Sequence, residues 1–177
     1  MRLSLITYPG SEEEFLAYHI QQRLERPHVP LKFSVGHAIP TDADYLITVV
    51  RNPGESIGTR LAGETDLSIE SALQEYNDLY TYLLSNANMV IKHEDLDKID
   101  NIIVSLFNEL NLDTENYKNK TNRILSEDIL LQPEHPMESR SDAWSRRFND
   151  LAGVDFEANL NDVTALYDQI LSKSVEW

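Results

Sequence analysis

Tyr45-Leu46-Ile47-Thr48-Val49-Val50-Arg51-Asn52-Pro53-Gly54 is the stretch on which the reading of the fold turns. Its unbroken run of β-branched and aliphatic residues suits a strand covered on both faces, as in a parallel sheet. Asn52-Pro53-Gly54 stops the strand in a turn, leaving Arg51 at its carboxyl end. Open α/β sheets place their ligands at that edge. Thr59 follows eight residues after Arg51, so a guanidinium fork and a hydroxyl are available to hold one phosphate. The same residues also fit a core strand running into a surface turn, with Arg51 solvated or in an ordinary ion pair.

Outward from this strand, the period of the apolar residues alternates between two and 3.6. Residues 2–8 alternate as a first strand, and Pro9-Gly10 turns the chain. Residues 11–25 then have helical character, with Phe15, Leu16, Ile20 and Leu24 apolar. Residues 31–35 form a short strand. Residues 68–85 read as a helix presenting Leu73, Tyr76, Leu79, Tyr80 and Leu83 on one side. Residues 88–92 form another short strand, and residues 98–110 an amphipathic helix carrying Ile99, Ile102, Ile103, Leu106, Phe107 and Leu110. Residues 111–141 read mostly as loop, with a short element at 124–131; residues 143–151 and 160–172 are the last helices. Strands alternating with helices predict a three-layer α/β fold, in which a mainly parallel central sheet is flanked by helices. At 177 residues the chain is expected to be one domain, residues 1–177.

A hydrophobic content of 41% is enough for a packed core. No run approaches the ~18 apolar residues of a membrane span, and the first residues carry no signal-peptide pattern, so a cytoplasmic protein is expected. The absence of cysteine excludes disulfides, thiolate metal sites and a cysteine nucleophile. Five scattered histidines lack metal-ligand spacing, and no metal is expected. A formal net charge of -15 disfavours nucleic acid and anionic partners. Its acidic surface is instead a place for a protein partner. No Gly-x-Gly-x-x-Gly or Gly-Lys-Ser/Thr loop is present, which removes ordinary dinucleotide binding and P-loop ATP hydrolysis.

Five segments, in order, carry a resemblance. They are Thr7-Tyr8-Pro9-Gly10-Ser11, Gly36-His37-Ala38-Ile39-Pro40, Arg51-Asn52-Pro53 with Thr59, Glu94-Asp95-Leu96, and Arg140-Ser141-Asp142-Ala143-Trp144 with Phe148. Together they resemble the sulfotransferase family, of P-loop-like α/β fold. The resemblance implies transfer of a sulfuryl group from 3′-phosphoadenosine-5′-phosphosulfate to an acceptor hydroxyl or amine. Arg51, Thr59 and Arg140 would then hold the 3′-phosphate. Tyr8, Pro9, Gly10 and Ser11 would frame the 5′ side, and His37 would take the proton from the acceptor as it attacks sulfur. An imidazole suits that task near neutral pH. Glu94 and Asp95 would close the turn before a helix.

The first loop departs from the family pattern. Gly10 stands where the family has lysine, and Glu12, Glu13 and Glu14 replace its Gly-Thr-Thr. Ser11-Glu12-Glu13-Glu14 reads as a capping box, with Ser11 as N-cap and Glu14 folded back to its amide. Those carboxylates favour the helix through its dipole but repel a dianionic donor. Two unit charges about 4 Å apart cost about 4 kcal/mol at an effective dielectric near 20. A second reading follows, in which the chain keeps the fold as a binding or assembly module and has lost donor binding.

Overall fold

The computed structural model describes residues 1–11, 13–24, 31–64, 66–112 and 156–177. Four strands, β1 (Arg2–Ile6), β2 (Lys32–Gly36), β3 (Tyr45–Val50) and β4 (Met89–Lys92), form one parallel sheet in the order β2-β1-β3-β4. Five helices accompany them: α1 (Glu13–Leu24), α2 (Pro53–Gly63), α3 (Ile69–Asn86), α4 (Ile99–Glu109) and α5 (Phe156–Leu171). A 3₁₀ segment, His93–Lys98, joins β4 to α4.

The winding explains the layers. The chain leaves β1 outward through α1 to β2, and leaves β3 in the opposite direction through α2 and α3 to β4. Right-handed crossovers of opposite direction put their helices on opposite faces. Accordingly Leu3 and Leu5 of β1 pack with Leu16 and Ile20 of α1 and with Ile102, Ile103 and Leu106 of α4. Ile6 and Tyr8 pack on the other face with Ile57, Tyr76, Tyr80 and Leu83 from α2 and α3, and with Val163, Leu166 and Ile170 of α5. The apolar stripes expected of residues 68–85 and 98–110 are the buried faces of α3 and α4. Strand β3, covered on both sides, buries Leu46 through Val50.

One edge of the sheet is lined by the chain after α5, where the Val175 amide donates to Val90 O at 3.3 Å. The other edge is β2, more exposed than the other strands.

Three sequence expectations are corrected. Residues 53–63 form a helix where a turn was expected: the Asn52 side chain accepts from the Gly54 amide at 2.9 Å, and Pro53 occupies the first helical position. An asparagine cap and a proline with no amide to satisfy start a helix as readily as they end a strand. Helix α1 begins at Glu13, two residues later than expected, and α5 starts at Phe156, earlier than residue 160. The element at 124–131 and the helix at 143–151 lie outside the described residues.

Helix α1 also buries charge. Glu13, His19 and Arg23 lie inside with Leu16 and Ile20, and the Arg23 guanidinium donates to the His19 carbonyl and, at 3.3 Å, faces His19 Nδ1. Burial first, and the Arg23 charge second, push the His19 imidazole down to about 4. The unfolded chain therefore takes up this proton before the folded one does. Stability from His19 is complete above pH ~6.5 and drains away as pH falls towards 4, a loss of roughly 3 kcal/mol at most. His19→Gln should flatten that part of the acid limb, read by denaturant midpoints between pH 7 and 4. Thr48, fully buried in β3, has a hydroxyl without a partner among the described residues. Thr48→Val removes that desolvated group at nearly constant volume and should stabilise the fold by about 1 kcal/mol in urea unfolding.

Candidate functional site

In an open parallel sheet every strand ends at the same edge, and the edge opens where the winding reverses. Here the reversal lies between β1 and β3. The loop after β1 and the start of α2 after β3 meet there. Arg51 Nη1 donates to Gly10 O at 2.9 Å, bridging 41 positions of sequence, and Arg51 Nε donates to Glu55 Oε2 at 2.9 Å.

Gly10 has φ +87°, and a Cβ on it would lie 3.2 Å from both Cβ and Cγ2 of Thr59 and 3.3 Å from Ser56 O. Loop and helix therefore touch backbone to side chain, which only glycine allows. Because α2 starts directly after Asn52, Glu55 and Thr59 fall four and eight residues beyond Arg51 on one helical stripe. The eight-residue spacing read from the sequence is thus a helical spacing. Thr59 turns its methyl side to Gly10, and among the described residues its hydroxyl makes no hydrogen bond.

Tyr8 is buried, its ring packed in the core against Tyr76. Its hydroxyl leaves the cleft to donate to Ala72 O at 3.0 Å on α3, and burial pushes the phenol up to about 12, opposed by Arg60, whose guanidinium stands 5.2 Å from the ring centre. Pro9 is half-buried beside it. The Tyr8 carbonyl accepts from Ser11 Oγ at 2.8 Å. The expected capping box is therefore replaced. Ser11 turns its hydroxyl back along the loop, and exposed Glu14 makes no bond to the Ser11 amide among the described residues. With α1 starting at Glu13, the serine stands too early to cap it.

His37, just after β2, is held at both ring nitrogens. Nδ1 lies 3.0 Å from Thr7 O, and Nε2 lies 3.2 Å from Glu13 Oε1. A carbonyl only accepts, so Nδ1 is the donor. The Glu13 side chain is 8% exposed and that of His37 46%, so the carboxylate is inside and the ring forms its cover.

The structure thus gathers Tyr8, Pro9, Gly10, Ser11, His37, Arg51 and Thr59 at one edge. Arg140 lies outside the described residues, as do Trp144 and Phe148. Asp95, at the 3₁₀ segment, pairs with Lys98 at 2.7 Å. Sequence reasoning missed the partners of His37 and Arg51: Glu13, read there only as a charge repelling a phosphate, and Glu55. Glu55 had a readable signal, its four-residue spacing from Arg51, once residues 53–63 are seen as a helix. Glu13 and His37 are joined only by the tertiary fold and carried none.

A concavity of about 290 Å³ lies between α3 and α5, lined by Glu70, Leu73, Gln74, Asn77, Asp162 and Val163. It offers two carboxylates and no cation, so it does not suit an anion. Among the described residues no group of three metal-ligating side chains gathers, and no helix is long and apolar enough to cross a membrane. No protein-family model matches the chain, and no curated protein matches it. The functional reading rests on the geometry of the cleft.

Gly10→Ala tests how tightly that cleft is built. The left-handed φ and the contact with Thr59 should together cost about 1–3 kcal/mol of stability by urea unfolding. Gly63→Ala, with nothing within 4 Å of the added Cβ, should be neutral or gain up to about 1 kcal/mol.

Proposed function

We propose that this chain is a sulfotransferase-like protein of P-loop-like α/β class that binds a 3′-phosphorylated adenine nucleotide at the β1–β3 edge. The reaction is sulfuryl transfer from 3′-phosphoadenosine-5′-phosphosulfate to an acceptor hydroxyl or amine. The observation that carries this reading is the convergence of Arg51 and Thr59 on Gly10. Two side chains suited to a 3′-phosphate stand against the loop suited to the 5′ side.

The donor set fits in part. Arg51 is a bidentate phosphate ligand by chemistry, and Thr59 offers a hydroxyl on the same helical stripe. The bound co-substrate supplies the activated sulfuryl group. The protein's part is to hold the donor in line with the acceptor and to receive the acceptor proton at His37 Nε2. That step requires His37 to swing away from Glu13.

The engagement of both His37 nitrogens favours a second reading, a binding or assembly module on the same fold without catalysis. The acidic surface is then the face for a protein partner.

Thermal-shift titration with 3′-phosphoadenosine-5′-phosphate tests the nucleotide site, because a ligand of the folded state alone raises the melting temperature. Arg51→Ala should weaken that nucleotide by roughly one to two orders of magnitude and leave plain adenosine nearly unchanged, through loss of a charge-assisted bond of ~1.5–3 kcal/mol. Equal loss for both ligands would assign Arg51 to the fold alone. Binding without sulfuryl transfer to any of a panel of hydroxyl and amine acceptors would favour the module.

A further inference from the structure

His37 and Arg51 each face a carboxylate of the same chain. Glu13 Oε1 lies 3.2 Å from His37 Nε2, and Glu55 Oε2 lies 2.9 Å from Arg51 Nε. Both carboxylates stand in the first turn of a helix, Glu13 in α1 and Glu55 in α2, where a bound anion would be favoured by the helix dipole. Glu13 is the more informative, since its carboxylate is buried, 8% exposed, and the His37 ring lies over it. Arg51 also donates to Gly10 O, so the loop that would receive a 5′-phosphate is tied to the arginine that would receive a 3′-phosphate.

We infer that Glu13 and Glu55 are built-in competitors of a ligand phosphate: intramolecular anions that occupy His37 and Arg51 and keep the cleft closed until a more highly charged ligand displaces them. The inference rests on the anion-binding part of the reading above and adds its regulation. Glu13 acts through His37, and Glu55 through Arg51. In the closed form His37 covers the loop and Arg51 holds the Gly10 carbonyl. A phosphate arriving at Arg51 releases Glu55 towards solvent, where its side chain is already 58% exposed. A phosphate arriving at His37 must displace a buried carboxylate, the harder exchange.

Calorimetric titration of the full chain with inorganic pyrophosphate and, separately, with 3′-phosphoadenosine-5′-phosphate tests this in wild type, Glu13→Gln, Glu55→Gln and His37→Gln/Glu13→Gln. Glu13→Gln should tighten pyrophosphate about tenfold or more, and Glu55→Gln, at a more screened position, about two- to fivefold. The gain from Glu13→Gln should vanish in the His37→Gln background, because the competition runs through that ring. A gain that persists without His37 would mean general repulsion and overturn the inference. So would unchanged pyrophosphate affinity in both single variants. If Glu13→Gln does not fold, the Glu55→Gln result decides alone.

Tighter pyrophosphate with no nucleotide binding in any variant would uphold the competitors and remove the nucleotide reading. Nucleotide binding equal in wild type and variants would do the reverse. No binding of either probe by any variant would remove both.

Discussion

The cleft depends on one constraint, the parallel pairing of β1 with β3. Leu3, Ser4 and Leu5 stand opposite Tyr45, Leu46 and Ile47, so both strands run out at the same edge and in step. That register brings Gly10 and Arg51 together across 41 positions. It survives because both faces of the pair are covered. Leu5 and Ile47 are buried under α1 and α4, and Ile6, Leu46 and Val50 under α2, α3 and α5. A slip of one residue would exchange those two sets of side chains between faces and leave Arg51 pointing away from the loop.

Three tyrosines fix the edge further. Tyr8, Tyr76 and Tyr80 stack with ring centres 5.1 and 4.4 Å apart. Each hydroxyl donates to a backbone carbonyl: Tyr8 to Ala72, Tyr76 to Arg51 and Tyr80 to Val49. Burial holds all three phenols above their ordinary range, so they remain protonated donors. The end of β3 and the loop after β1 are thereby bonded to the same helix, α3. Movement of Arg51 relative to Tyr8 would have to break packing as well as hydrogen bonds. The backbone at this edge is therefore tied at several points, so exchange of ion partners there needs less rearrangement than movement of the backbone.

Much of the fold was legible because long periodic segments bury one stripe. Leu73, Tyr76, Leu79, Tyr80 and Leu83 could be assigned to a core face from spacing alone, and the continuous run at β3 marked a strand covered twice. The helix α2 was hidden because Asn52-Pro53-Gly54 is a signal with two meanings: it ends a strand and it also caps a helix. Only tertiary packing, with Ile57 and Leu61 facing α3, chooses between them. At the site, the convergence of the β1 loop with Arg51 followed from the general rule for parallel sheets. The Glu13–His37 pair did not, since its partners lie 24 positions apart in sequence and one stands in a row of three glutamates. Read linearly, Glu13 and Glu14 look alike; folded, one is inside against a ring and the other is in water.

That difference changes the electrostatics of the loop. Three uncompensated glutamates would repel a phosphate at close range by about 4 kcal/mol per charge pair. Glu13, however, is matched by His37, and Glu14 is exposed and screened by solvent and salt. The opposition to a ligand is thus less a matter of repulsion than of exchange. A monoanion replacing Glu55 on Arg51 trades one charge for one charge and gains little. On the proposed reading, a ligand carrying several phosphate charges on one frame would engage Arg51 first, displacing the more exposed carboxylate, and then meet His37 as an intramolecular step, at high effective concentration. Such a site would discriminate by charge density and spacing. Such a site would discount single phosphate or sulfate groups in favour of a ligand carrying two phosphate groups on one frame.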